Sequence, residues 1–295
     1  MKFSQPIIKG IPHKKILPQG TALVLEGGGT RGFYSAGVFE AFMDAEIIFP
    51  YIVGVSAGAA NVLTYIAGQR GRNRLIVEKY VGEKKYLSFG NFIKHGSLFG
   101  YDYIFKTLPE QHIFFDHEIF ERTEINFFTG ATDCVTGKTI WFGKNEIAHG
   151  FDVTVASCSV PFLSKIVCRD GLHLLDGGIT SPIPIEKSIA DGNNFHVIVL
   201  TQNQGYIKSA FRHKKILRIF YRKYPALVDA ILKRHEVYNR QLALCEQLER
   251  DGKAKIIRPL VPLSINRATT NVKKLLALYD EGHAEGKNAL AGIEF

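Results

Sequence analysis

The chain has 295 residues, 46% hydrophobic and 22% charged, which suits a globular protein of one large domain or two small ones. Of its net charge of +9, seven cations (Lys208, Arg212, Lys214, Lys215, Arg218, Arg222 and Lys223) fall between Ile207 and Tyr224 with no acid among them. Taking those seven from nine leaves +2, so the basicity belongs to one segment and argues against nucleic acid as a partner.

Residues 1–20 hold three prolines and little periodicity and read as an extended N-terminal arm. Thr21–Glu26 is a short apolar run that stops at three glycines, as a buried parallel strand does. After Gly27-Gly28-Gly29-Thr30-Arg31-Gly32, the spacing of Phe33, Ala36, Val38 and Ala41 predicts a helix over 33–45. Tyr51-Ile52-Val53 is β-branched and aromatic, and beyond Gly54-Val55-Ser56-Ala57-Gly58 the run from Ala59 to Leu63 reads as helix. Strand, loop, helix, strand, turn and helix in that order predict an α/β fold with a mostly parallel sheet and helices on its faces. Residues 68–121 are aromatic, basic and poorly periodic, and read as short helices and loops over the top of the sheet.

Strands are expected at 125–132 and 139–142 across a Val135-Thr136-Gly137-Lys138 turn, then a helix over 151–158 that Pro161 ends. Arg169-Asp170-Gly171 turns a hairpin of 165–168 and 172–175, which delivers Asp176-Gly177-Gly178. Phe195–Thr201 is another buried strand. Helices over 226–250 and 271–291 and a strand at 255–259 complete the chain.

Three blocks carry chemistry. Gly27-x-Gly29-x-x-Gly32 also satisfies the dinucleotide fingerprint, but that fold needs an acid at the end of the second strand, and here that strand ends in Gly54-Val55-Ser56. The glycines instead allow consecutive backbone N–H groups to face an oxyanion. Gly54-Val55-Ser56-Ala57-Gly58 between strand and helix has the form of a nucleophile elbow, with the helix N-terminus favouring an oxyanion. The plain alternative makes Ser56 a helix N-cap. A serine needs a proton acceptor. None of the ten histidines lies in a recognisable motif, and His13, His213 and His235 sit in basic segments, so Asp176 is the better candidate, against the plain reading of a turn aspartate.

In this order, the three blocks resemble the patatin-like phospholipase family, and Ala156-Ser157-Cys158-Ser159-Val160-Pro161 is similar to a further block of that family. The resemblance covers about 21–190 and divides the chain into the arm 1–20, a patatin-like domain 21–190 and a C-terminal extension 191–295. It implies a three-layer α/β/α fold and a Ser–Asp dyad. Ser56 is then the nucleophile, Asp176 the proton acceptor, and the amides of Gly27, Gly28 and Gly29 the oxyanion hole. Thr30, Arg31, Gly32, Gly54, Val55, Ala57, Gly58, Gly177 and Gly178 complete the motifs. Glu26 stands where some members carry aspartate, and Gly178 where others have alanine. A free aspartate, with a pKa of about 3.9, is a weak base towards serine, so burial and oxyanion donors worth about 3 kcal/mol each must compensate.

The expected activity is hydrolysis of lipid acyl esters, of phospholipase A, lysophospholipase or esterase type, without metal, calcium or other cofactor. Two alternatives are an α/β-hydrolase with a Ser-Asp-His triad, for instance through Asp280 and His283, and an inactive membrane-binding module. On a helical wheel Ile207, Ala210, Phe211, Leu217, Phe220, Tyr221 and Tyr224 share one face and Lys208, Arg212, Lys215 and Arg222 another, which fits an anionic membrane surface or a plain surface helix. Cys134, Cys158, Cys168 and Cys245 form no C-x-x-C pair and read as reduced, mostly buried thiols. Met1–Lys15 lacks the apolar core of a secretory leader, and no run approaches the roughly 18 apolar residues of a membrane span. The expectation is a cytoplasmic protein, peripheral on the inner face of the membrane.

Overall fold

Apolar runs bounded by glycine and turn residues become the strands of an eight-stranded sheet, beside a small two-stranded one. A computed structural model describes residues 3–12, 14–148 and 150–291, so His13 lies outside the described residues. The strands are β1 (Lys15–Ile16), β2 (Thr21–Leu25), β3 (Ile47–Ile48), β4 (Tyr51–Val55), β5 (Asn126–Asp133), β6 (Thr139–Gly143), β7 (Val167–Arg169), β8 (Leu172–Asp176), β9 (Phe195–Val199) and β10 (Ala254–Ile257). The helices are α1 (Phe33–Asp44), α2 (Ala57–Ile66), α3 (Arg72–Lys79), α4 (Phe89–His95), α5 (His117–Arg122), α6 (Lys144–Ala148), α7 (Asp152–Cys158), α8 (Ile185–Ala190), α9 (Lys214–Phe220), α10 (Pro225–Arg250) and α11 (Val272–Ala291).

The sheet runs β10-β9-β2-β4-β5-β8-β7, with β6 also paired to β5. From β10 to β5 every pairing is parallel; β6, β8 and β7 join antiparallel. β2 shows how the layers arise. Leu23 and Leu25 face Phe39 and Phe42 of α1 and Val62 of α2, while Ala22 and Val24 face Tyr238 and Leu242 of α10. Two-residue alternation with apolar side chains on both faces demands helices above and below, and the result is the expected three-layer α/β/α arrangement.

The last helix belongs to the same body. α11 lies against α1 so closely that a Cβ on Gly37 would come within 1.9 Å of the Tyr279 carbonyl oxygen. Glycine at that point lets the two backbones meet. β1 pairs with β3, which fixes the end of the N-terminal arm.

The basic segment differs from its helical wheel. Only Lys214–Phe220 is helical, so the face predicted over 207–224 does not form. Leu217 and Tyr221 are buried, but Ile207, Ile216, Ile219 and Phe220 are exposed. The cause is tertiary. Asn239 of α10 accepts the Lys208 amide at 2.9 Å and donates to the Lys208 carbonyl at 3.1 Å, which takes that residue's backbone out of any helical ladder. Of the cysteines, Cys134 and Cys245 are buried, Cys158 is half-buried and Cys168 is exposed. No helix among the described residues is long and apolar enough to cross a membrane.

Candidate active site

β5 sets the register of the site. Its Gly130 pairs with Val55, the last residue of β4, and its Ala131 pairs with Asp176, the last residue of β8. Neighbouring residues of one strand therefore bring Ser56 and Asp176, far apart in sequence, to the same edge. The Ser56 hydroxyl donates to Asp176 Oδ2 at 2.8 Å, with both residues buried. Ser56 holds φ 53° and ψ −130°, a strained conformation for a residue with a side chain. It stands at the N-cap position of α2 but makes no side-chain cap bond; its hydroxyl turns to the aspartate instead. Asp176 does two jobs. Oδ1 accepts the Gly178 amide at 2.6 Å, as a turn aspartate does, and Oδ2 receives the serine.

Several residues fix this geometry. The Ser56 amide donates to Ser157 Oγ at 2.8 Å, and that hydroxyl donates to the Gly130 carbonyl at 2.6 Å. Thr132 Oγ1 donates to the Asp176 carbonyl at 2.9 Å. A Cβ on Gly177 would lie 2.0 Å from the Gly130 carbonyl oxygen, so only glycine admits the turn after Asp176. Burial raises the Asp176 pKa above its ordinary 3.8, opposed by Arg234, the Ser56 hydroxyl, the Gly178 amide and Arg267.

The glycine loop leaves β2 and passes beside Ser56. Among the described residues the amides of Gly27, Gly28 and Gly29 have no hydrogen-bond partner, and the three residues line a cavity together with Ser56 and Asp176. Thr30, Arg31 and Gly32 form a tight 3-10 turn. Asn61 of α2 donates to the Gly32 carbonyl at 2.9 Å and ties the loop to the elbow helix. Arg31 is buried, which lowers its pKa, and the Gln202 amide oxygen accepts from its guanidinium. Gly54 and Val55 end β4, and Ala57 and Gly58 open α2. Glu26 is buried and accepts the Thr201 amide at 2.6 Å.

A larger cavity of about 930 Å³ also has Ser56 on its wall, with Phe33, Leu63, Ile76, Phe105 and Phe115 among its apolar lining. The poorly periodic region forms much of it: α3, α4 and α5 flank a π-helical run, Tyr103–His112, that supplies Ile104, Phe105 and Leu108. No histidine among the described residues lines either cavity. The triad candidates lie elsewhere, on α11. Asp280 pairs with Arg74 at 2.5 Å, and His283 Nε2 bonds Asp44 Oδ2 at 2.8 Å. The α/β-hydrolase alternative through that pair is corrected by those partners.

The sequence reading gave no role to Ser157, Thr132, Arg234 or Arg267. Ser157 was signalled, since it stands in the block before Pro161. The other three carry no local pattern.

These features define an α/β protein with a serine elbow at the carboxyl end of a parallel strand. The sequence model of the Patatin-like phospholipase family matches residues 23–189, more than half of the chain, and the chain belongs to that family. A domain of unknown function, DUF6363, matches residues 224–294. The uncharacterized protein YjjU of Escherichia coli (strain K12) is 28% identical over 198 residues, covering 62% of this chain and 52% of its own. An uncharacterized NTE family protein of Mycobacterium bovis is 24% identical over 194 residues, 62% of this chain and 30% of its own. Lysophospholipase nte1 of Emericella nidulans is 26% identical over 191 residues, 59% of this chain and 12% of its own. The chain thus spans about half of the first relative's length and less of the other two. VipD from Legionella pneumophila, a solved structure, is similar at a TM-score of 0.47 and 13% identity, over 99% of this chain and 72% of that one.

Proposed function

We propose that the protein hydrolyses carboxylic esters of lipids through a Ser56–Asp176 dyad and an acyl-enzyme, with no metal or other cofactor. The carrying observation is the 2.8 Å bond from the Ser56 hydroxyl to Asp176, made on the wall of a largely apolar cavity. In this reading the acyl chain lies in that cavity. Ser56 Oγ attacks the ester carbonyl carbon while its proton passes to Asp176. The carbonyl oxygen becomes an oxyanion and takes hydrogen bonds from the free amides of Gly27, Gly28 and Gly29, each worth about 3 kcal/mol in the transition state. Collapse of this intermediate breaks the ester C–O bond, and Asp176 returns the proton to the leaving alcohol oxygen. Water then attacks the acyl-enzyme by the same route, releasing the fatty acid and restoring the Ser56 hydroxyl. The raised pKa of Asp176 brings its basicity nearer to the task.

The family and the lysophospholipase named among the relatives support a lipid substrate. We also propose peripheral contact with the anionic inner face of a membrane. Exposed Ile216, Ile219 and Phe220 stand on α9 among Lys214, Lys215 and Arg218, a mixture that suits such a surface. The division at residues 20 and 190 follows the motifs; in space 21–190 and 191–295 share one sheet, and the arm's β1 pairs with β3 beside it. A fluorophosphonate tests the nucleophile by intact mass. One adduct on the wild type and none on Ser56→Ala is expected. Labelling that survives the substitution overturns the assignment.

A further inference from the structure

Two arginines of the C-terminal segment stand at the dyad and take no part in the chemistry above. A second cavity, of about 480 Å³, also has Ser56 on its wall, with Gly28, Asp176, Gly178, Arg234 and Arg267. Where the first cavity is lined mainly by aromatic and aliphatic residues, this one has both Arg234 and Arg267 in its lining, beside Phe99, Val160, Leu163 and Pro182.

Both are held in place by backbone. Arg234 projects from α10, and its Nε donates to the Gly178 carbonyl, two residues from Asp176. That bond uses one of the five N–H donors of the fork. Arg267 lies in the loop before α11, which is clasped to the glycine loop. Its carbonyl accepts the Thr30 amide at 3.0 Å, and Thr30 Oγ1 accepts the Thr269 amide at 3.1 Å while donating to the Asn266 carbonyl at 3.2 Å. Among the described residues neither guanidinium has a carboxylate within ion-pair distance, and the Arg267 side chain makes no hydrogen bond.

The surrounding charge is unbalanced. Arg31, Lys208, Arg234 and Arg267 act on one another, against Glu26 and Asp176. Burial, then the neighbouring Arg267, pushes the Arg234 guanidinium down to about 10. Burial, then Arg234 and Arg267, pushes the Lys208 ammonium down to about 7. Asp176 and Glu26 offset only part of this, two carboxylates against four cations, and the Asp176 oxygens accept from Ser56 and Gly178 and make no ion pair with either arginine. Cations gathered in a half-buried place destabilise the fold until an anion joins them.

We propose that Arg234 and Arg267 are specificity residues that hold the phosphate of a glycerophospholipid while its ester carbonyl sits at Ser56. This rests on the acyl-hydrolase reading. In such a lipid the phosphate hangs from the glycerol a few bonds from the acyl esters. An ester at Ser56 therefore places the chain in the larger cavity and the phosphate in the one that Arg234 and Arg267 line. A guanidinium fork matches two phosphate oxygens at once. Both arginines fall within the domain of unknown function at 224–294, and completing the substrate site becomes its role.

The test compares kcat/KM on phosphatidylcholine and on diacylglycerol in the same neutral mixed micelles, beside a soluble short-chain ester, for the wild type, Arg267→Gln and Arg234→Lys. Loss of one charge-assisted contact should lower the ratio of phosphatidylcholine to diacylglycerol about 10- to 100-fold in Arg267→Gln, through KM. Arg234→Lys, which keeps the charge without the fork, should lower it less. An unchanged ratio, or an equal loss on all three substrates, overturns the phosphate assignment and leaves the hydrolase standing. No hydrolysis of any ester by the wild type refutes the hydrolase instead. A second measurement then decides for the anion. Inorganic phosphate should raise the melting temperature of the wild type and not of Arg267→Gln. No rise overturns the subsite, and a rise with an unchanged lipid ratio overturns the headgroup in favour of free phosphate.

Discussion

Ser157→Ala tests whether the elbow is held from outside. The Ser157 hydroxyl is fully buried, accepts the Ser56 amide at 2.8 Å and donates to the Gly130 carbonyl at 2.6 Å. Alanine removes it and leaves an amide and a carbonyl without partners where water does not reach. Each such orphan costs about 1–3 kcal/mol, so the variant should lose about 2–6 kcal/mol. At roughly 2 °C per kcal/mol for a domain of this size, the melting temperature should fall by about 4–12 °C. Activity should fall further than stability implies. The Ser56 backbone, at φ 53°, stores strain of about 1–3 kcal/mol that this bond helps to hold. Once released, the hydroxyl drifts from Asp176, and a shift of about 1 Å costs about 100-fold in rate. The assay is a thermal melt beside kcat and KM on a soluble short-chain ester, with KM expected to stay nearly constant. A lowered melting temperature with normal kcat would show that Ser157 only supports the fold. Both quantities unchanged would refute the reasoning altogether.

Asp176→Asn can still accept the Gly178 amide but cannot take the serine proton, so hydrolysis should fall about as far as in Ser56→Ala, with the double variant no worse. No histidine-to-alanine variant should match that loss, and one folded variant that does would replace the dyad with a triad. Because Asp176 titrates above its ordinary 3.8, kcat/KM should fall as pH drops through that raised value, and Arg234→Gln, which removes the leading opposing charge, should move this limb to higher pH; an unmoved limb would separate Asp176 from the rate. The same shift has a sign for stability: a raised carboxylate pKa contributes stability below the unfolded pKa and loses it as pH rises through the folded one. Asp176→Asn should therefore gain melting temperature relative to the wild type as pH climbs, and a gap that stays flat with pH would contradict the burial cost. Reversing Lys214, Lys215, Arg218 and Arg222 to glutamate should weaken co-sedimentation with anionic vesicles by about 1000-fold or more, at about 1 kcal/mol per cation, and equal binding would leave α9 an ordinary surface helix.

What the sequence made legible follows how local each cause is. β2 and β4 are apolar runs closed by glycine, and the structure ends them within a residue of the expected positions. The elbow and the aspartate turn are equally local, since each needs only a strand and small residues after it. Residues 68–121 resisted because their apolar side chains are divided between core packing against α1 and α11 and the wall of a cavity, so no single period governs them. Residues 207–213 misled because a helical wheel counts side chains, whereas here one asparagine thirty-one positions away claims the Lys208 backbone. Arg234 and Arg267 are the extreme case. Each looks like one more surface cation on a helix or loop, and nothing near it in sequence announces a partner. They meet Ser56 only because α10 covers one face of the sheet while the loop before α11 clasps Thr30. The Ser56–Asp176 pair is therefore written in motifs, and the charge that surrounds it is written in topology.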